Sequence, residues 1–546
     1  MRQGIVFAAL LCGASLARGG TYEVKEQKLG PVHEKVLLWR VSRDGLHLAY
    51  AASMGEKVMV VADGQAGPEF DGIAPGTLRL SPDGSRVAYV AGRGKKRIVV
   101  VDGKLGPEFD GILQRNPFFS PDGKHVAYAA KLGEKWVVLL DGQPGAELDA
   151  VMADNPVFSP DGKHLAYAAK RGAKWLVVLD GQAGPEFDAI TEGDPIFSPV
   201  TGGTPVPPKL AYGARKGAKW LVVLDGQPGS EVDALLKGSL GFSPDGKHLA
   251  YAAATGQKRV VVVDGQPGPE VDELAAGSPV FSPITGGTPV PPRVAYGART
   301  GKKWVVVADG KPGPEADAIG LGDPVFSPDG KRLAYSARTG TAWAVVVDGR
   351  MGPPCDALMA GTPTFSPDGQ HVAYGAKKGE KWIVVDDAQS GPLYDGIMAD
   401  TPLFSPDGKR MAYGAKRGDK WLLVVDGKPG EAVDGIGRDT LVFSPNGERL
   451  ACVIGKEGAM RVVLDGQAGP AFDQVVKPVF SADGKHIAYR AKSGEKSLMV
   501  VDGQPGPSYD GVIPNGPTFV ANGALEYLAH KDKVLYHVQV ALGAGR

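Results

Sequence analysis

The sequence predicts an all-β fold, a β-propeller assembled from thirteen four-stranded blade units. Three observations predict it: a repeat with a period near 40 residues, short β-rich runs punctuated by Gly and Pro inside each repeat, and a strand that is apolar on both faces.

The repeat is clearest in FSPDGKHLAYAAKRGAKWLVVLDGQAGPEFDAI, Phe158 to Ile190, and close copies of it follow one another almost from end to end. Its Ala-Tyr dipeptide places tyrosines at 50, 89, 128, 167, 212, 251, 296, 335, 374, 413, 489 and 527, with Cys452 taking the place once. Most neighbouring tyrosines are 39 residues apart, and two gaps of 45 each hold a six-residue insertion. Such a period fits propeller blades or helical repeats, so the structure inside one unit decides between them.

Within the unit the apolar residues come as PVFS, HLAYAA, WLVVL and EFDAI, each bounded by Gly, Pro or Asp-Gly. None reaches the length of a helix at 3.6 spacing, and the intervening Gly and Pro would break one. SPDG is a turn by mechanism: Pro121 presets the first central φ, and Gly123 is free to take the left-handed conformation that closes a hairpin. KRGAK (Lys170 to Lys174) makes the next hairpin around Gly172, and DGQAGP (Asp180 to Pro185) the third around its Asp-Gly. Each unit therefore reads as a four-stranded antiparallel meander.

In the third strand Trp175, Val177 and Leu179 point one way while Leu176 and Val178 point the other, so the sheet needs cover on both faces. A ring of blades supplies it. Propellers typically have four to eight blades, so thirteen units suggest two tandem rings, residues 21–309 and 310–546, with the break at Asp309-Gly310 and seven units then six. A break at Asp264-Gly265, giving six then seven, is the alternative.

At the start, Met1 to about Gly20 has Arg2, an apolar stretch from Ile5 to Leu16 and small residues at Ala14 and Ala17, which reads as a secretory signal peptide. It is too short for a membrane span. Periplasmic or extracellular localisation is expected, with no stable membrane insertion once the signal is removed. Cys355 and Cys452 then remain, at different strand positions three units apart, a poor geometry for a disulfide. Lys28 to Val36 matches the QAGPEFDAI part of the unit, whereas the last unit stops after its third strand. A late strand from the N-terminus could thus complete the final blade and remove an open edge. The two insertions, Val200 to Arg215 and Ile284 to Arg299, are near twins whose prolines suggest stiff protrusions on one face.

Glycine and proline, 78 and 44 residues, fall at periodic positions, which argues for hairpins over disorder. Lys plus Arg equals Asp plus Glu at 61 each, so no global field recruits nucleic acid or an anionic membrane. There is no Gly-x-Ser-x-Gly elbow, His-Glu-x-x-His, P-loop or paired-cysteine metal site, so no catalytic residue, cofactor or metal is expected. His47, His125, His164, His248, His371 and His486 share one position beside the first turn and read as structural. His33, His530 and His537 lie near the termini and could approach one another if the ends meet. Asp110, Asp149, Asp188, Asp233 and Asp272 recur once per unit and read as hydrogen-bonding groups within or between blades. The tryptophans opening strand three, Trp136 and its counterparts, read as inter-blade packing.

Function should lie where units depart from the average. Two places qualify. The fourth-to-first connections gather acids near the ring axis, and Asp154, Asn155, Asp194, Asp323, Asp400 and Asp439 are the candidate partner-binding residues. The diverged eleventh unit, with Cys452, Glu457 and Arg461, is the other.

The run P-x-F-S-P-D-G-K-x-[LIVM]-A-Y, as in NPVFSPDGKHLAY (Asn155 to Tyr167) and TPLFSPDGKRMAY (Thr401 to Tyr413), resembles the blade motif of TolB-like, WD-repeat-like bacterial β-propellers. It covers essentially the whole chain after the signal. The resemblance implies a periplasmic or secreted non-catalytic scaffold for protein partners, or alternatively a propeller-type polysaccharide lyase or hydrolase with its site in a central funnel. TolB itself carries an extra N-terminal α/β domain that this chain lacks, and the DGQAGPEFDAI half is not part of the TolB pattern.

Overall fold

The structure is a computed structural model that describes residues 15–19, 22–33, 35–193, 195–200, 207–284, 292–320, 324–521 and 523–542. Most of the expected signal segment and both proline-rich insertions lie outside the described residues. Every regular element described is a β-strand, and no helix is long and apolar enough to cross a membrane.

The third blade shows how the repeat folds. Val126–Leu132 pairs with Lys135–Leu140, with Tyr128 opposite Leu139 and Lys131 opposite Trp136. Gln143–Pro144 adds the outer strand, prolonged by the bridge between Trp136 and Leu148. The inner strand is split. Gly111–Ile112 and Phe118–Phe119 both pair with Val126–Leu132, and the loop between them interrupts the edge. The EFDAI segment, read as a fourth strand, is thereby divided between two blades. Asp149 and Met152 donate their backbone N–H to Lys170 and Ala168 of the next blade (2.9 Å each), which draws Ala150–Val151 onto that blade.

The turns follow the expected chemistry. Gly123 sits at φ 72° and its N–H donates to Ser120 (2.9 Å). The Asp122 carboxylate accepts from the Ser120 hydroxyl (2.5 Å), and that hydroxyl accepts from the His125 N–H (3.0 Å), so the turn is tied from inside. Asp141 and Gly142 both take positive φ, 50° and 79°, as a two-residue hairpin turn requires. The second glycine of DGQxGP has another reason. A Cβ on Gly145 would crowd the Val138 carbonyl at 3.2 Å and touch the Tyr167 hydroxyl of the next blade at 3.5 Å, so glycine lets the outer strand lie close against its neighbour.

Both faces of each sheet are buried, as the alternation predicted. Leu176 and Val178 of the fourth blade pack with Val138 and Leu148 of the third, while Val177, Trp175 and Leu179 pack with Tyr212 and Leu221 of the fifth. The same arrangement recurs round the molecule, and the thirteenth blade packs on the first through Leu528, Leu535, Leu48 and Tyr50. At the expected division, Asp309-Gly310 forms a turn like its counterparts (φ 50° and 76°). A core of Val306, Ala316, Leu333 and Tyr335 carries the packing on from the seventh blade into the eighth. Among the described residues the packing therefore passes from blade to blade through thirteen four-stranded blades in a ring. The size of a closed array follows from the rotation per repeat. Ala127, Ala129 and Ala130 on the second strand are fully buried between the sheets.

The ring is closed by the N-terminus. Tyr22–Pro31 pairs antiparallel with Val534–Ala541 and becomes the outer strand of the thirteenth blade, with Ser15–Gly19 paired outside it. The strand exchange expected between the two ends is present, starting six residues earlier than Lys28.

Candidate functional site

Neighbouring blades touch closely at their split inner strands. Arg79 donates to the Arg115 carbonyl (3.3 Å) and the Asn116 amide to the Asn155 carbonyl (3.3 Å), both across a blade boundary. The outer pair Gln143–Pro144 is exposed. Edges that converge in a fan lie nearest its axis, so the interrupting loops form the inner rim, and these loops carry the candidate residues.

Asp154 stands at the tip of its loop at φ 61°, exposed, with Arg115 of the preceding blade 2.9 Å away. Asp400 stands at a tip of the same kind (φ 61°) but pairs with Arg438 of the following blade (3.3 Å), and Asp439 follows at φ 58°, exposed. A left-handed tip suits a short polar side chain that tolerates αL. Asn155 differs. It is 2% exposed, its Oδ1 accepts from the Ala168 N–H (3.0 Å), and its amide donates to the Ala153 carbonyl (3.2 Å). Its side chain is taken up in holding the loop. Thr77, Asn116, Ser239 and Thr440 accept the equivalent N–H in other blades. Asp194 and Asp323 lie outside the described residues. Asp154 is in the fourth blade and Asp400 and Asp439 in the tenth and eleventh, so only the last two are neighbours, with Arg438 between them.

The recurring aspartates are latches between blades. Asp149 accepts from Lys135 of its own blade (2.5 Å) and from the Gly172 N–H of the next (2.6 Å), and Asp110, Asp188, Asp233 and Asp272 repeat the pattern. The lysine and the N–H hold the Asp149 carboxyl below its ordinary range. The histidines are also occupied. Nδ1 of His125 lies 2.6 Å from Asp141, whose other oxygen accepts from the Val126 N–H (2.9 Å). His47, His164, His248, His371 and His486 repeat the pair. Where arginine takes this position it spans the junction: Arg86 pairs with Asp102 (2.9 Å), donates to the Lys124 carbonyl of the next blade (2.6 Å) and lies over Phe119. Of the three terminal histidines, His33 is near Tyr50 and His537 near Glu526, while His530 lies beside Gly511.

One trio could offer ligands to a metal: His371, Asp386 and Asp387, with ligand atoms within 4.8 Å of one another. His371 and Asp387 already satisfy each other as their counterparts do, so the new element is Asp386, standing where other units carry Val, Leu or Ala. Burial pushes its carboxyl up, and its buried Oδ1 has no hydrogen-bond partner. An orphaned polar atom in a packed sheet costs stability. Asp386→Val is accordingly expected to stabilise the protein by on the order of 1 kcal/mol at neutral pH, allowing for its partial exposure, read as a rise in thermal midpoint that shrinks at pH 4.

The eleventh blade departs from the repeat at positions that face its neighbour. Cys452 replaces the tyrosine, Ile454 the usual alanine and Arg461 an apolar residue of strand three, and a cavity of about 720 Å3 opens between the tenth and eleventh blades. Cys355 and Cys452 are free and buried in separate cores. Burial pushes the Cys452 thiol up to about 12, which leaves it protonated and unreactive at neutral pH.

No family model matches the chain, and no curated protein matches it. Among solved structures it is similar to a crystal structure of a eukaryotic initiation factor, at TM-score 0.31 and 15% identity over 71% of this chain and 96% of that one. It is similar also to the dihydro-heme d1 dehydrogenase NirN in complex with DHE, at 0.24 and 16% over 67% and 77%. A third likeness is to TolB from Acinetobacter baumannii, at 0.20 and 14% over 56% and 79%. Likenesses this slight add nothing to the reading of the site, and the β-propeller rests on the chain's own sheet order and closure.

Proposed function

We propose that this protein is a non-catalytic β-propeller scaffold, exported to the periplasm or beyond the cell, that binds protein partners on the inner rim of its ring. The observation that supports it most is how the titratable groups are spent. The repeated histidines and aspartates are bound into latches, whereas the rim presents exposed charges on rigid loops: Arg115 with Asp154, Lys237 with Glu192 and Arg438 with Asp400. Exposed ion pairs contribute little to stability and remain available to recruit and orient a charged partner. The N-terminal segment supports export by its composition.

The test couples capture to the rim. Mature protein and the double variant Asp154→Arg, Asp400→Arg are immobilised, exposed to envelope extract, and each captured partner is purified and titrated against both. At least tenfold weaker binding to the variant, with an unchanged thermal midpoint, is the expected result. No rim-dependent partner, together with cleavage of a glycan panel by the wild type, would replace the scaffold with the lyase or hydrolase reading.

A further inference from the structure

At an ordinary junction the second-strand tyrosine fills the space between blades. Tyr128 packs edge-to-face on Phe109 of the preceding blade, with ring centroids 6.3 Å apart, and Tyr212 on Phe187, Tyr413 on Tyr394 and Tyr489 on Phe472 do the same. Between the tenth and eleventh blades both rings are absent, since Val433 and Cys452 hold those positions. Cys452 and Ile454 alternate on one strand, and Ile454 lies opposite Arg461, so all three replacements face the tenth blade together. Two of them enlarge or polarise the wall and the third empties it.

The cavity of about 720 Å3 that results has an apolar floor of Leu423, Val433, Cys452 and Ile454, and its size is that of a small-molecule site. Arg461 stands in its wall. The one hydrogen bond this guanidinium makes among the described residues is to the Gly469 carbonyl (3.1 Å), which leaves most of its donors unused. Four of the five acids lining the cavity are already engaged: Glu431 with Lys456 (2.6 Å), Asp465 with Arg449 (3.0 Å), Asp426 with Arg410 (3.4 Å) and Glu448 with the Asn446 amide (2.8 Å), while the fifth, Glu457, is exposed. The Lys456 to Glu431 pair runs from one blade to the other across the opening. An uncompensated cation above an apolar floor selects a ligand with an anionic head and an apolar body.

We propose that the cleft between the tenth and eleventh blades binds a small amphipathic carboxylate, its head on Arg461 and its body along Leu423, Val433, Cys452 and Ile454. Arg461 fixes the orientation by a paired, charge-assisted contact, and the missing tyrosine supplies the room. Cys452 contributes volume and not reactivity. The site is separate from the inner rim and does not depend on partner binding there.

The experiment is calorimetric titration of the full mature chain with dodecanoate below its micellar range, beside dodecanol and dodecyltrimethylammonium. One saturable dodecanoate site per chain is expected, with both comparison compounds at least tenfold weaker. Arg461→Leu, which restores the apolar residue of the other units, is expected to weaken dodecanoate at least tenfold and leave dodecanol unchanged. Cys452→Tyr refills the space and is expected to abolish binding while the thermal midpoint holds or rises. Absence of a saturable site, equal binding of the ammonium compound, or dodecanoate binding unaffected by Arg461→Leu would each overturn the proposal, whether or not the tyrosine variant folds.

Discussion

Deleting Tyr22–Pro31 is expected to open the ring and give a thermally labile protein that associates beyond the state of the intact chain. That strand pairs with Val534–Ala541 from Glu23 opposite Ala541 to Pro31 opposite Val534, and without it the last blade ends in an unpaired edge. Val24, 2% exposed, packs among Tyr509, Leu525, Tyr527 and Val538, and Leu29 reaches the core shared with the first blade. Tyr509 donates to Glu26 (2.5 Å) and Tyr22 to Asp502 (2.7 Å), so the strand also bridges the twelfth blade. An open edge with Tyr536, Val538 and Val540 along it templates pairing with another chain. Light scattering after size exclusion should show species larger than those of the intact chain, and a peptide of sequence YEVKEQKLGP added in trans should restore the intact chain's size and thermal midpoint. Val24→Asp, a milder lesion, should cost at least about 3 kcal/mol by burying an unpaired charge. A deleted chain with the size and midpoint of the intact one would show that the ring does not need this closure.

Much of that closure was legible in the sequence, because the offset between the two ends is a counting fact that survives any uncertainty about strand limits. The two-sided burial was legible for a similar reason, since Trp175 to Leu179 offers no polar face. What misled was local. EFDAI reads as one strand because Phe187 and Ile190 are both apolar, yet the backbone passes from one blade to the next at Asp188, whose N–H bonds to Arg215. Asn155 looks like a surface polar residue beside Asp154, and its burial follows from a backbone N–H of the second strand that only a tertiary structure brings near. The eleventh unit was visible as a departure, but the cavity needed Val433 and Cys452 to be seen meeting across a junction, although they lie 19 residues apart.

Acid is expected to dismantle the ring cooperatively between about pH 4 and pH 2. At ten of the blade junctions, from Asp71 to Asp510, the latch carboxylate is held below its ordinary value by hydrogen bonds from a lysine and from a backbone N–H of the next blade. In the first turns the serine hydroxyl lowers Asp83 and Asp122 to about 2. A carboxyl with a depressed folded pKa contributes its stability in full above the unfolded value of about 3.9 and loses it as the pH falls through the folded value. Because the unfolded chain binds protons at all these sites first, the losses add, and stability must fall steeply over that window. His371 works in the opposite sense: the Asp387 carboxylate raises its pKa, so its contribution is full below the unfolded value of about 6.5 and lost as the pH rises through the higher folded value, but it is one group against many. Near-ultraviolet circular dichroism against pH should give a transition steeper than one proton allows. Added salt should weaken the lysine part by screening and spare the N–H part, so the transition should move only modestly at high ionic strength. Asp149→Asn, Asp188→Asn and Asp233→Asn together keep an acceptor for each N–H while removing three titrating groups. That variant should be less stable at pH 7 and less steep in acid, and an acid transition identical to the wild type would show that the latches do not govern the ring's response to pH.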